Sequence, residues 1–206
     1  MRERQAKNIG LAIVGAGRVG LFRGEVAARH AQVGWIGIAE KNPERAKYVA
    51  EKLKADFVTS DYRELLNRPE VNATIISTDE HLHVDPILAA VDRQHSLMIE
   101  KPLATDLGDS ARVLKAIQAS GVDAVVGYTQ RFRRRWLAAK EKVSTGQLGD
   151  VTLVSSRAFM NRLVAIDNYK RTDDPKKISP MVISGTHALD IVMWMMEGKT
   201  PVEIYA

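Results

Sequence analysis

The chain has 206 residues, enough for one large domain or one domain and part of a second, and its 45% hydrophobic and 27% charged residues are those of an ordinary globular protein. It contains no cysteine, which excludes disulfides, thiolate metal sites and a cysteine nucleophile. The formal charge of +5 suits an anionic ligand; no apolar run is long enough to span a bilayer, and Met1–Gln5 leads into no signal-type segment, so a cytoplasmic protein without membrane contact is expected.

Ile9–Val14 reads as a buried strand and Val19–His30 as a helix. Between them runs Gly15-Ala16-Gly17-Arg18-Val19-Gly20. A second apolar strand, Val33–Ala39, ends at Glu40, twenty residues after the third glycine. Glycines, strand, helix and acid in this register form the dinucleotide-binding fingerprint, which a glycine turn without a ligand does not require. Gly15 permits the tight turn, Gly17 lets the backbone approach a pyrophosphate, and Gly20 lets helix and strand pack closely. The N–H groups at the helix start favour phosphate charge. A carboxylate at Glu40 can accept from both ribose hydroxyls of an adenosine, which favours NAD. Lys41 beside it suits a 2′-phosphate and keeps NADP open.

The alternation continues. Helices are expected over Pro43–Leu53, Asp61–Leu66, His81–Arg93 and Leu107–Ser120, and strands over Phe57–Val58, Ala73–Ser77, Ser96–Glu100 and Ala124–Gly127. Pro43 fits a first helical turn, Asp61 and Asp106 fit N-caps, and Gly121 fits a helix C-terminus. Such alternation predicts an α/β fold with a doubly wound parallel sheet. Glu100-Lys101-Pro102 follows a strand at the edge where such sheets bind ligands. A lysine there can serve as acid or base if burial and a cationic nicotinamide lower its pKa. Taken alone, the tripeptide reads more readily as a surface Lys-Pro turn. His83, early in its helix, faces either the cofactor edge or the core. His30, His81 and His95 have no clustered partners, so no metal site is expected.

After Gly127 the pattern changes, giving a dinucleotide-binding domain over 1–127 and an incomplete α+β domain over 128–206. Arg131-Phe132-Arg133-Arg134-Arg135-Trp136 opens a basic helix, Arg133–Ser144, whose arginines spread around the axis. That spread fits a solvated helix or an anion-attracting rim better than a nucleic-acid stripe. Thr145–Asp150 reads as a turn, Val151–Met160 as an alternating strand, Asp167–Lys177 as a polar loop with Tyr169 on the substrate side, and Ser184–Met196 as a helix. Pro201–Ala206 begins another strand, and two strands alone cannot protect their edges. His187 and Asp190, three apart, share a helix face. Asp190 would then orient one ring nitrogen of His187, unless His187 is simply a core residue of a capped helix. Ile191, Trp194 and the Met193–Met196 cluster are expected inside.

Together these elements resemble the glucose–fructose oxidoreductase and inositol dehydrogenase (Gfo/Idh/MocA) family. The matching features are Gly15–Gly20, Glu40, Ser77-Thr78 followed by His83, Glu100-Lys101-Pro102-Leu103-Ala104, Gly127-Tyr128 with Arg131-Phe132, Gly146-Gln147-Leu148-Gly149-Asp150, and His187 with Asp190. The resemblance implies an NAD(P)-dependent oxidoreductase acting on a sugar, polyol or cyclitol. Lys101 would polarise or deprotonate the hydroxyl and His187 would relay the proton. Gly15, Ala16, Gly17, Arg18, Val19, Gly20, Glu40, Lys41, Ser77, Thr78, His83, Glu100 and Lys101 would line the cofactor. A homodimer or homotetramer would form through the second-domain sheet. Two features depart from the family pattern. Ile183 stands where many members carry an aspartate, and the chain is shorter than the usual member, as a fragment would be.

Overall fold

A computed structural model describes residues 8–159, 161–163, 166, 170, 174 and 179–205, with backbone alone at 182 and 183. The chain divides into two compact units, Met1–Gly127 and Tyr128–Ala206.

The first unit is a doubly wound Rossmann sheet. Its strands are β1 (Ile9–Val14), β2 (Val33–Ala39), β3 (Phe57–Thr59), β4 (Ala73–Ile76), β5 (Ser96–Ile99) and β6 (Ala124–Val126), ordered β3-β2-β1-β4-β5-β6. Every neighbouring pair is parallel. The helices between them are α1 (Arg18–Ala28), α2 (Pro43–Leu53), α3 (Tyr62–Leu66), α4 (Val84–Asp92) and α5 (Leu107–Ser120). The strands' side chains alternate between two cores. Ala12, Val14, Ile76 and Ile99 pack with α3, α4 and α5 residues such as Leu65, Ile87 and Val113; Leu11, Ile13, Ile38 and Ile75 pack with Val49 and Leu53 of α2. That period of two, buried on both faces, is what a parallel sheet requires.

Local chemistry sets the helix ends. Asn42, Asp61 and Asp106 accept backbone N–H bonds at the starts of α2, α3 and α5, and Gly121 closes α5 at φ 71°. The helix expected over His81–Arg93 is split: a 3₁₀ turn, Glu80–Leu82, precedes α4. His83, between the two segments, spends its side chain on tertiary bonds instead of a cap.

In the second unit, a 3₁₀ turn (Thr129–Phe132) leads into α6 (Arg134–Ser144), and a π-turn (Met181–Gly185) leads into α7 (Thr186–Met195). The strands expected over Val151–Met160 and Pro201–Ala206 do not form among the described residues: 151–159 and 201–205 have no regular structure. Alternation supplies a face, but a strand also needs a hydrogen-bonded neighbour, and no described residue pairs with these segments as a strand. Their apolar side chains remain outside, with Leu153 82%, Phe159 93% and Val202 97% exposed. Met160, Ala206, Tyr169 and most of 167–177 lie outside the described residues. Of the methionine cluster, Met195 is buried but Met193 is exposed, so the expected apolar cluster is only partly inside.

Candidate active site

The sheet order reverses direction between β1 and β4, and that is where a doubly wound fold opens its ligand crevice. A cavity of about 270 Å³ lies there, lined by Gly15, Gly17, Glu40, Lys41, Arg45, Tyr62, Ser77 and Thr78 among others. Gly15 turns the chain at φ 87°, and a β-carbon on it would lie 2.7 Å from the Thr78 nitrogen. A β-carbon on Gly20 would lie 2.2 Å from the Gly15 carbonyl oxygen and 2.7 Å from Ser77 Oγ. The Ser77 hydroxyl donates to that same carbonyl at 2.7 Å, so Ser77 braces the glycine turn. Gly17 differs: only the Arg45 guanidinium comes near, at 3.7 Å, leaving room for a ligand against the backbone. Arg18 and Val19, the first residues of α1, are both exposed.

The start of α1 has no side-chain cap and no acid in its first turn, unlike those of α2, α3 and α5. Its N–H groups and dipole therefore face the cleft available to an anion. Glu40 is held by two backbone amides: Ala16 N–H donates to Oε2 at 2.9 Å and Asn42 N–H to Oε1 at 3.0 Å. A carboxylate has about four acceptor positions, so two remain for ribose hydroxyls while the amides fix its orientation. These features fit the adenosine and diphosphate portions of a dinucleotide.

Around the β4 and β5 ends, two residues brace the cleft. His83 is wholly buried, with Nδ1 2.8 Å from the Pro102 carbonyl oxygen and Nε2 3.1 Å from that of Thr78. Burial pushes its pKa down, against the two carbonyls, which favour the cation. A neutral ring can donate to only one of them. With no exposed surface, His83 ties together the two loops flanking the cleft; this revises its expected place as a direct cofactor contact. Glu100 is the second: its Oε1 receives Arg23 Nε at 2.9 Å and a second guanidinium nitrogen at 2.7 Å, pinning the β5 end to α1. Lys101 follows, half-buried, before a cis peptide bond to Pro102.

In the second unit, His187 lies in the first turn of α7, its ring edge-on to Tyr128 at 6.3 Å between centroids. The Tyr128 hydroxyl is 3.1 Å from that of Thr186. The expected Asp190–His187 bond is not formed. Asp190 instead receives Arg131 through two guanidinium nitrogens at 2.7–3.1 Å. A planar guanidinium satisfies both carboxylate oxygens at once, which an imidazole cannot. This bond to Asp190 also holds the Arg131 pKa above its usual value. Beside His187 is a cavity of about 400 Å³ whose apolar lining includes Trp136, Phe159 and Ile191.

Sequence reasoning missed Arg45, Tyr62 and the Arg23–Glu100 pair. Arg45 was accessible in principle, because it sits one turn into the helix after Glu40. The ion pair joins residues 77 apart and carried no local signal.

This crevice and glycine turn define a dinucleotide-binding Rossmann protein. The family model for Gfo/Idh/MocA, an oxidoreductase family with an NAD-binding Rossmann fold, matches residues 9–128, and the chain belongs to that family. NAD is thus the cofactor of its class. The chain is 28% identical over 200 residues to the uncharacterized oxidoreductase YrbE of Bacillus subtilis, covering 97% of this chain and 57% of that protein. It is 29% identical over 196 residues to inositol 2-dehydrogenase of Gluconacetobacter diazotrophicus, covering 93% and 55%. The structure of Lactobacillus casei scyllo-inositol dehydrogenase with NAD(H) and scyllo-inositol matches its fold with a TM-score of 0.82, at 20% identity and over 92% and 56% of the two chains. The chain spans about half the length of the curated relatives it matches.

Proposed function

We propose that the protein is an NAD-dependent dehydrogenase of a sugar, polyol or cyclitol. The observation carrying this reading is the cleft in which an uncapped α1, an open Gly17 and an amide-oriented Glu40 converge. Glu40 accepts from the adenosine ribose hydroxyls and its charge opposes a 2′-phosphate, which favours NAD over NADP. The α1 N-terminus takes the diphosphate, and Ser77 and Thr78 border the nicotinamide ribose. When bound, NAD accepts the hydride from the substrate carbon. That carbon releases hydride only as its hydroxyl loses a proton, so a base within reach is required. Lys101, at the ligand-binding end of β5, is the proposed base, and His187 of the second unit the proposed relay. His83 and the Arg23–Glu100 pair are positioning groups that hold the loops around Lys101. Residues 128–206 belong to an α+β domain that carries substrate contacts and the interface of a homo-oligomer.

The test is NAD reduction with myo-inositol, scyllo-inositol and a panel of hexoses. Lys101→Ala is expected to lower turnover by about 10²–10⁴-fold, the range of general-base catalysis, with NADH affinity little changed. Equal loss of both would remove the catalytic role. Ile183, in place of the aspartate many members carry, favours a second reading: a dinucleotide-binding subunit without catalysis. NADH binding with no hydride transfer across the panel would establish it.

A further inference from the structure

The cavity beside His187 has a chemistry that neither the cofactor cleft nor a neutral polyol calls for. Its polar lining is Gln130, Arg135, Ser156, Arg157, Ser184 and His187, and among the described residues no aspartate or glutamate lines it. The nearby carboxylate, Asp190, is taken up by Arg131. Neither Arg135 nor Arg157 forms an ion pair among the described residues, whereas Arg131 and Lys140 of the same unit do. Gln130 Oε1 accepts the indole N–H of Trp136 at 3.1 Å, which leaves the amide NH₂ as its group for a ligand. The cavity is therefore rich in donors and doubly cationic. A neutral polyol presents hydroxyls that both donate and accept, and sites for such ligands gain from carboxylates. A site of donors and guanidinium groups matches an acceptor-only anion.

Resting on the reading of residues 128–206 as the substrate side, we propose that this cavity binds a substrate bearing an anionic group on a polyhydroxylated ring. Arg135 and Arg157 bind the anion, while Gln130, Ser156 and Ser184 bind ring oxygens near His187.

The test is calorimetric titration of the protein with D-glucuronate, D-glucose 6-phosphate and D-glucose, which share one ring and differ at C6. At least one anionic sugar is expected to bind about 10-fold or more tighter than glucose, the gain expected of charge-assisted hydrogen bonds. The preferred one identifies the anion as carboxylate or phosphate. Arg157→Gln and Arg135→Gln, both at exposed positions, should each erase most of that preference, and raised salt should weaken it. No preference over glucose, or a preference untouched by either substitution, overturns the inference. NADH titration of the same samples separates the two readings: retained NADH binding without anion preference removes this inference alone, whereas loss of NADH binding by the folded wild type removes the dehydrogenase reading.

Discussion

Among the described residues, every buried hydrophobic side chain belongs to the first unit except Ile191 and Met195 of α7. The first unit covers both faces of its sheet with helices, and all its strand pairs except β1–β4 form within successive βαβ repeats. The second unit is held differently. Beyond that small apolar contribution it has polar ties: Arg131 on Asp190, and Lys140 on Glu197 and on the Trp194 carbonyl. Its irregular segments leave Leu153, Phe159, Val202 and Ile204 exposed. The comparison shows where a local pattern suffices. A βαβ repeat contains its own strand partners, and successive repeats share one core on each face of the sheet. An alternating segment carries half of an interface and takes its structure from whatever pairs with it.

This difference can be broken by substitution. The largest effects are expected in the first core, where Ile13→Ala or Ile38→Ala should cost about 2–5 kcal/mol by urea unfolding, while Val202→Ala should change stability by no more than about 0.5 kcal/mol. A large effect of Val202→Ala would show that the 201–205 segment is packed in solution. Next, Gly20→Ala should lower both the melting temperature and NADH affinity, because its β-carbon meets the Gly15 backbone. Gly17→Ala has space for its methyl and should lose NADH affinity at an unchanged melting temperature. Removing Arg23 should cost about 1.5–3 kcal/mol, since the Glu100 carboxylate it leaves behind is only 13% exposed.

The smallest expected effect is a pH dependence. Burial depresses the pKa of both His83 and His95 in the fold. The unfolded chain therefore takes up protons near pH 6.5 that the folded chain resists. Their stabilising contribution is complete above that value and is lost as pH falls through the lower folded values. Melting temperatures measured from pH 7.5 to 5.5 should decline, and His83→Gln should flatten the decline. A slope unchanged in that variant would assign the proton uptake elsewhere.

The first unit was legible because its determinants are close in sequence. The Gly15–Gly20 turn, the caps Asp61 and Asp106 and the strand periodicities all act over a few residues. Glu40 was legible by spacing alone, although the two amides that aim it were not. The sequence left His83 between two places because a polar residue early in a helix looks the same whether it faces a ligand or reaches back to two loop carbonyls. Asp190 was misread for a related reason. Helical spacing placed it beside His187, but Arg131, 59 residues earlier, offers a better-matched partner. Strands at 151–160 and 201–206 were inferred from a face pattern, and their pairing was never in that pattern.

We propose above all that the cleft over Gly17 and Glu40 binds NAD. Paired NADH and NADPH titrations by nicotinamide fluorescence, on the wild type, Gly17→Ala and Glu40→Gln, test it most directly. Tighter binding of NADH than of NADPH is expected, with a narrower gap in Glu40→Gln and weaker binding of both in Gly17→Ala. Folded wild-type protein that binds neither nucleotide, or that binds equally well after Gly17→Ala, would contradict it.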